Sequence, residues 1–406
     1  MRENEKKLLA QTADEFEWYK NAADGYIKLR NQRLLINKKK EQRHFTRAEA
    51  IAYLELDGRT LDKYASAANI NPRRYEDSAW LVSIEEIYAI RNILPVEHRK
   101  APAFKRGKER KLQVITIKNQ KGGVGKTVSA ATLASGLATE FHEEYRVGLI
   151  DMDGQATLSM YYAPLAASQE CLSVGDLISG NYELDEGETR KDAISSAFLP
   201  TTIPNLRILP ATQSDRAIEG WFHKNIISGD IENPYSILKG IIEEVEDQFD
   251  IIIIDTPPSL SYASFNAYYA ATSVIFPVTV AENDLDATCS YFKYVREVWS
   301  LIEDAGHDGY HFIKTLLTNH KGGHTTSELQ LRFSSFFSSR LYSKEFRQSE
   351  AVHQSSSLMS TVFDMSKSEY PKTKSRYAVA QQNAFEVVCQ IKCDLDLVWR
   401  IQEGKE

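Results

Sequence analysis

The sequence predicts an α/β fold, in which a parallel sheet has helices on both faces and an all-α part precedes it. Two observations lead to this prediction. From residue 112 onward, short runs of apolar and β-branched residues alternate with helical stretches, and continuous apolar strands are typical of a sheet buried on both faces. Before residue 112, the apolar residues recur at helical spacing instead.

Length and composition limit the classes of protein that need to be considered. The 406 residues suit two or three domains, and 42% hydrophobic with 26% charged residues is typical of a globular protein with a core. The sequence contains no run of about 18 apolar residues, so it predicts no membrane span. The charged N-terminus lacks an apolar signal segment. We expect a cytoplasmic protein whose thiols are reduced, because none of its four cysteines forms a CxxC pair.

Charge is distributed unevenly along the chain. The formal net charge is −7, but residues 1–111 carry +7 and residues 112–406 carry −14. A basic N-terminal region on an acidic body suggests a module that faces DNA. The alternative is that the lysine and arginine clusters are solvated charge runs that flank linkers.

The first 42 residues predict one long amphipathic helix. Apolar residues from Leu8 to Leu35 recur mostly at spacings of three, four and seven, and Gly25 is the one glycine among residues 3–37. A terminal helix of this length cannot bury its apolar stripe alone. We expect residues 1–42 to mediate dimerisation, with packing on the following domain as the alternative.

Residues 43–100 predict a compact helical module. Capping-box patterns at residues 46–49 and 83–86 each begin a helix, and a second helix follows the Asp57-Gly58 turn. Helix, turn, short helix, basic loop and helix together resemble a winged helix-turn-helix, whose second helix would enter the major groove. A helical domain that mediates only dimer contacts is the alternative. Residues 101–111 read as a basic linker. The candidate DNA-binding residues of the module are Arg59, Thr60, Lys63, Arg73 and Arg74.

Five strands are predicted in the domain formed by residues 112–406. They cover residues 114–117, 146–150, 251–254, 273–278 and 313–318. Ligands of parallel sheets bind at the carboxyl ends of the strands, where acidic residues follow the second and third of these runs.

A glycine-rich loop at residues 120–127, between the first strand and a helix, predicts a P-loop NTPase with an ATP site. Its glycines let backbone N–H groups surround the phosphates, and the helix N-terminus favours negative charge. Lys126 would reach the β- and γ-phosphates, and the Thr127 hydroxyl would bind Mg²⁺. A glycine-rich turn without a ligand is the alternative. The candidate ATP-binding residues here are Gly122, Gly123, Val124, Gly125, Lys126, Thr127 and Val128.

Three aspartates at strand ends complete the predicted site. Asp255 ends an Ile-Ile-Ile-Ile run and precedes Thr256-Pro257-Pro258, the context of a carboxylate that holds Mg²⁺. Asp151 and Asp153 follow the second strand, where paired carboxylates need a cation or a water to organise them. An acidic turn without a catalytic role is the alternative for this pair.

The loop Lys121-Gly122-Gly123-Val124-Gly125-Lys126-Thr127 resembles the deviant Walker A motif of the ParA family of DNA-partitioning ATPases. The resemblance implies slow, Mg²⁺-dependent ATP hydrolysis, with Lys121 reaching the nucleotide of a second copy. It also implies that Asp153 positions the attacking water, that Asp151 supports the metal, and that Asn319 reads adenine, although Asn319 could instead simply form a turn. Gly154 stands where the family usually has proline.

The N-terminal extension resembles that of the larger ParA proteins. The resemblance implies a homodimer, with a filament on DNA left open, that binds DNA without sequence preference, represses its own operon, associates with the bacterial nucleoid and responds to a ParB-like centromere-binding protein. Candidate DNA contacts in the C-terminal part, each of which could equally be a solvated surface residue, are Arg340, Lys344, Arg347, Lys372, Lys374 and Arg376.

Three other functions stay open. A MinD-like membrane-cycling ATPase would need a basic amphipathic C-terminal tail, but residues 384–401 carry three acidic residues. A metallocluster carrier would need paired cysteines, and Cys389 and Cys393, one helical turn apart, fit core packing better. A non-enzymatic repressor is disfavoured by the complete set of Lys126, Thr127, Asp153 and Asp255.

Overall fold

A computed structural model describes residues 14–15, 17–26, 28–29, 42–73, 79–166, 171–320 and 324–405. The chain divides into two units, residues 1–41 and residues 42–406. In the first unit, residues 17–26 are helical, and the rings of Trp18 and Tyr19 meet edge to face. Most of the predicted dimerisation helix lies outside the described residues.

The second unit begins with a small module that contains two short strands and three helices. These are β1 (His44–Thr46), α1 (Arg47–Leu54), α2 (Gly58–Ala67), β2 (Leu81–Ser83) and α3 (Ile84–Ile93). Both predicted capping boxes form: Thr46 caps α1 together with Glu49, and Ser83 caps α3 together with Glu86. The strands, which the sequence analysis does not anticipate, pair antiparallel and close the module around its own apolar core.

The module is docked on the domain that follows it through buried polar contacts. The Tyr88 hydroxyl donates to the Ala138 carbonyl over 2.7 Å. Arg43 lies 2.5 Å from Glu140, and Arg91 lies 2.5 Å from Glu144. Because both arginine side chains are almost entirely buried, these ion pairs belong to the interior of the second unit.

A seven-stranded sheet forms the centre of the remaining residues, in the order β5-β6-β4-β7-β3-β8-β9. All neighbouring pairs are parallel except β5 with β6. The strands are β3 (Gln113–Ile117), β4 (Val147–Asp151), β5 (Leu199–Pro200), β6 (Leu206–Leu209), β7 (Ile251–Asp255), β8 (Ser273–Thr279) and β9 (Phe312–Thr318).

Helices cover both faces of this sheet, which confirms the predicted fold class. They are α4 (Lys126–Thr139), α5 (Ser159–Tyr162), α6 (Val174–Ser179), α7 (Arg190–Ala197), α8 (Ile218–Ser228), α9 (Ile237–Glu244), α10 (Tyr262–Ala270), α11 (Glu282–Asp304), α12 (His324–Phe337), α13 (Glu350–Ser357) and α14 (Lys374–Gln402). One apolar core lies between the sheet and the helices α4 and α14, and a second lies on the opposite face under α7, α9 and α10.

The C-terminal helix α14 packs as a core element. Its residues Val387, Val388, Ile391 and Leu395 are completely buried. Opposite them, Gly136 of α4 lets the two helices approach closely, since a Cβ atom there would lie 2.9 Å from the Val388 side chain. Within the described residues, no helix is long and apolar enough to cross a membrane.

Candidate nucleotide-binding site

The predicted site residues meet at the carboxyl ends of the central strands. Asp151 ends β4 and Asp255 ends β7, and the two are direct register partners on neighbouring strands. The loop from β3 to α4 begins on the other side of β7, since β3 and β7 also pair in parallel. The topology therefore places two carboxylates beside the phosphate loop, as the sequence predicts for ligands of a parallel sheet.

The phosphate loop has a backbone that requires glycine. Gly123 and Gly125 have φ angles of +78° and +79°, a region that side chains with a Cβ rarely enter. The Thr318 hydroxyl at the end of β9 donates to the Val124 carbonyl over 2.8 Å and holds the loop from outside. Lys126 folds back so that its Nζ donates to the Lys121 carbonyl over 3.1 Å.

Lys126 is buried, whereas Lys121 is 40% exposed on the loop surface. Burial lowers the pKa of Lys126, and the charges of Asp255 and Asp153 oppose that shift. The Nζ of Lys121 lies 3.3 Å from Asp284 near the beginning of α11. Lys121 is thus paired within its own chain, and reaching a second copy would require it to leave Asp284.

Asp255 presents one oxygen that has no hydrogen-bond partner among the described residues. Its Oδ1 accepts the Thr256 N–H over 3.0 Å, while Oδ2 is buried and accepts no hydrogen bond from the described residues. Burial raises the pKa of this carboxyl, and the neighbouring Thr127 hydroxyl opposes the rise. A bare carboxylate oxygen beside a threonine hydroxyl is the type of donor set that Mg²⁺ takes in phosphate sites, so the residues present fit the ion.

Asp151, by contrast, has both carboxylate oxygens engaged. Its Oδ1 accepts the Asp153 N–H over 3.1 Å, and its Oδ2 accepts the N–H and the hydroxyl of Ser159, each over 2.8 Å. Burial and the neighbouring Asp255 raise its pKa, and the Ser159 hydrogen bonds oppose the rise. In this structure the hydrogen bonds of Asp151 order the loop that follows β4. Of the two carboxylates, Asp255 is the one with an oxygen that is not engaged by the described residues and could bind a cation.

Asp153 is half-buried and lies on the cavity wall, with its Oδ1 accepting the Gln155 N–H over 2.9 Å. The next residue, Gly154, is held against Arg216, whose Nε donates to the Gly154 carbonyl over 3.2 Å. A Cβ atom at residue 154 would lie 2.9 Å from Cγ and 3.2 Å from the backbone nitrogen of Arg216. Close packing against Arg216 therefore disfavours a side chain at residue 154.

A cavity of about 480 Å³ opens over these residues. One wall is the phosphate loop with Lys126, Thr127 and Val128, and Asn319 closes part of it by donating from Nδ2 to the Gly123 carbonyl over 3.4 Å. The opposite wall was not predicted, because it carries no motif and is assembled from separate loops and helices. It includes Tyr161, Phe346, Val352, His353, Val362, Ala380 and Asn383.

The candidate DNA-binding residues lie at several separate places. In the module, Arg59, Lys63 and Arg73 are exposed, and Arg74 lies outside the described residues. Thr60 belongs to the cap of α2, where its hydroxyl donates to Asp57 over 2.6 Å.

The C-terminal candidates are largely paired with acidic side chains. Lys344 lies 2.9 Å from Glu386, and both Lys372 and Arg376 lie 3.2 Å from Glu350. Arg340 and Lys374 are exposed. Arg347 lies on the wall of the nucleotide cavity, so its position suits the nucleotide as well as DNA.

In the part of the chain that the structure describes, no group of three or more His, Cys, Asp or Glu side chains is placed to hold a metal ion. The four cysteines are free thiols.

A family model and several curated proteins are similar to this chain. The AAA domain family matches residues 112–304. A candidate replication protein A of Sinorhizobium fredii is 27% identical over 358 residues, covering 86% of this chain and 85% of that protein. Plasmid partition protein A of Escherichia coli is 27% identical and the match covers 55% of this chain and 56% of that protein. The chromosome-partitioning ATPase Soj of Treponema pallidum is 31% identical, and the match covers 48% of this chain and 67% of that protein.

Solved structures show the same fold. A partition protein superposes with a TM-score of 0.62 and 20% identity over 85% of this chain and 97% of that one. A variant of the Cyanothece protein McdA, solved as an ATP complex, gives a TM-score of 0.51 and 17% identity, covering 68% of this chain and 96% of that one. Among the curated relatives, the plasmid partition protein is matched over about half of its length.

Proposed function

Because this chain belongs to the ParA family of partition ATPases, we propose that it is a slow, Mg²⁺-dependent ATPase that moves or retains DNA as a nucleotide-controlled dimer. The observation that carries the proposal is the buried Oδ2 of Asp255, which has no hydrogen-bond partner among the described residues and lies beside Thr127 and the phosphate loop. A buried carboxylate oxygen without a donor is costly, and a cation bound to the phosphates of ATP would supply its missing partner.

Binding of ATP would rest on the loop backbone and on two elements around it. Gly122, Gly123, Gly125, Lys126 and Thr127 line the cavity, and the N–H groups of the loop together with the positive end of α4 attract phosphate. Lys126 would exchange the Lys121 carbonyl for a phosphate oxygen, because an ammonium bonds more strongly to a charged acceptor than to a neutral carbonyl. Asn319 would contact the adenine, as an amide can both donate and accept.

Hydrolysis would depend on positioning and charge more than on a strong base. Asp153 lies on the cavity wall, where its carboxylate would orient the attacking water. Thr127 and Asp255 would hold Mg²⁺, which when bound neutralises charge on the phosphates. Lys121 of a second copy would add positive charge to the transition state, and Asp284 would hold this lysine in the absence of a partner.

DNA binding would use the N-terminal module, with dimerisation through residues 1–42. Arg59, Lys63 and Arg73 are exposed and could neutralise phosphates, and contacts of this kind weaken steeply with salt. We further propose that a ParB-like protein stimulates hydrolysis and that the module represses the operon of this protein. Nucleotide state would then decide which conformation is populated.

The nucleotide site is tested by equilibrium binding of ATP with Mg²⁺ to the full chain and to Lys126→Gln, with Lys111→Gln as the matched control, because Lys111 is exposed on the same domain. We expect Lys126→Gln to lose at least about tenfold in affinity, equivalent to about 1.4 kcal/mol, and the control to bind normally. Unchanged affinity in Lys126→Gln would remove the proposed site.

Catalysis and DNA binding need separate measurements. Asp153→Ala should retain ATP but stop phosphate release, and normal release would reject its role. Co-sedimentation with DNA should require ATP, exceed that with ADP or no nucleotide, and fall between low and high salt. If the amount of protein that sediments with DNA does not depend on the nucleotide, the proposal of nucleotide-controlled DNA binding is contradicted.

A further inference from the structure

A third lysine, Lys118, is buried beside the nucleotide site. It follows β3 directly, and its side chain is completely buried. Its Nζ donates to the Pro257 carbonyl over 2.5 Å, to the Ser259 carbonyl over 2.7 Å and to the Ser264 hydroxyl over 2.7 Å. A lysine ammonium has three N–H donors, and here each one has an acceptor.

Burying the Lys118 ammonium costs free energy of folding. A buried ammonium loses its hydration, and burial together with the charge of Lys126 lowers the pKa of Lys118 to about 7. The Ser264 hydroxyl donates its own proton to the Ser259 carbonyl over 2.6 Å, so that it offers only lone pairs to the lysine. The three acceptors around one nitrogen favour the protonated side chain, and the charges of Asp153 and Asp255 also oppose the lowering of its pKa.

The segment that Lys118 holds is the loop that leaves the metal-binding strand. Asp255 ends β7, and Pro258, three residues later, lines the nucleotide cavity. The loop is also anchored at its beginning, where the Thr256 hydroxyl donates to the Ile117 carbonyl over 2.7 Å. Lys118 and Ile117 are neighbours in the chain, so one point at the end of β3 fixes both ends of the loop.

We propose that Lys118 is a positioning residue for hydrolysis, whose ammonium clamps the 257–259 segment to the beginning of the phosphate loop and so sets the geometry at the γ-phosphate end of the site. The residue does not line the cavity, and its effect passes through Pro257 and Ser259. This inference rests on the proposed ATPase activity. It assigns to Lys118 a kinetic role in turnover, separate from the grip on the nucleotide that the loop backbone and Lys126 provide.

The proposal predicts a separation of kcat from KM. Releasing the clamp leaves the amides of the phosphate loop in place, so the nucleotide still binds. Misplacement of a catalytic site by about 1 Å can cost up to about 100-fold in rate. In Lys118→Met we expect kcat to fall at least about tenfold, while the KM for ATP changes by less than about threefold and the Mg²⁺ concentration for half-maximal rate rises.

The control is Lys111→Met, the same substitution at an exposed lysine seven residues earlier, which should keep kcat within about twofold. Ser264→Ala is the milder second variant, because it removes one of the three acceptors and leaves the ammonium with two. It should lower kcat by a smaller factor than Lys118→Met, and it decides the question if Lys118→Met does not fold. The rates are divided by the number of sites that bind ATP, measured by equilibrium dialysis.

The possible results distinguish a failure of the proposed ATPase function from a failure of the role of Lys118. Wild-type protein that binds but never hydrolyses ATP would end the proposed ATPase function and this inference with it. If the wild type is active and Lys118→Met has an unchanged kcat per bound nucleotide, only the role of Lys118 is overturned. If Lys118→Met does not fold, an unchanged kcat in Ser264→Ala has the same consequence. A loss of ATP affinity as large as the loss of kcat would also overturn it.

Discussion

Replacing Asp255 by asparagine should make the nucleotide-free protein more stable and at the same time remove the stabilisation that Mg²⁺ and ATP confer. Asp255 and Asp151 are register partners on adjacent buried strands, and like charges opposite each other destabilise a sheet. The Oδ2 atom of Asp255 is buried without a partner among the described residues. Removing this charge from a buried, unsatisfied position should gain about 1–3 kcal/mol.

The size and pH dependence of this gain can both be measured. A gain of about 1 kcal/mol raises the midpoint of thermal unfolding by about 2–4 °C in domains of this order of size. Burial raises the pKa of Asp255 above its ordinary 3.8 in the folded state, so the folded protein loses stability as the pH rises and the carboxyl ionises. The advantage of Asp255→Asn should therefore be complete at pH 8 and small near pH 4.

The assay is thermal unfolding at pH 8, with and without MgATP. The wild type should gain about 2.7 kcal/mol at a ligand concentration of 100 times Kd, whereas Asp255→Asn should gain much less. The ligand should therefore remove most or all of the stability advantage of the variant. An apo variant less stable than the wild type at pH 8, or a full MgATP response in the variant, would refute the reasoning.

Three further predictions concern the docked module and the loop after β4. Arg91→Met should destabilise the second unit by about 2–3 kcal/mol in denaturant titrations, because Glu144 stays partly buried without its partner, and adding Glu144→Gln should recover part of the loss; a fully additive double variant would contradict this. Burial lowers the pKa of His142, so stability should fall as the pH drops below 6.5, and His142→Gln should flatten that slope while the exposed His98→Gln leaves it unchanged. Gly154→Ala should slow ATP turnover more than it weakens ATP binding, since its Cβ would lie 2.9 Å from a side-chain carbon of the turn it packs against, and kinetics matching the wild type would show that the close packing is unnecessary.

The sequence predicts five of the seven strands of the large sheet, because each is a run of apolar residues between turn signals. The other two, Leu199–Pro200 and Leu206–Leu209, are short and carry too little periodicity to be recognised. The same holds for β1 and β2, three residues each, which pair across more than thirty residues of chain. Their pairing depends on tertiary structure that no local pattern encodes.

Part of the candidate site could likewise be predicted from local sequence patterns, and part could not. The phosphate loop and the strand-end aspartates could be placed from the sequence, because a loop of this kind needs fixed residue types at fixed spacing. The cavity wall around Phe346 and His353, and the three acceptors of Lys118, are brought together only by packing between distant segments. A lysine at the end of an apolar strand gives no sign in the sequence of what surrounds its ammonium.

The docking of the module on the far end of α4 has a practical consequence for engineering. Two arginines of the module insert their side chains next to Glu140 and Glu144, and α4 itself starts at the phosphate loop, about 21 Å away. Transplanting this module onto a different ATPase would bury two guanidinium groups against whatever side chains the new host has at that position. A chimera that folds would need Glu140 and Glu144 to be transferred together with the module.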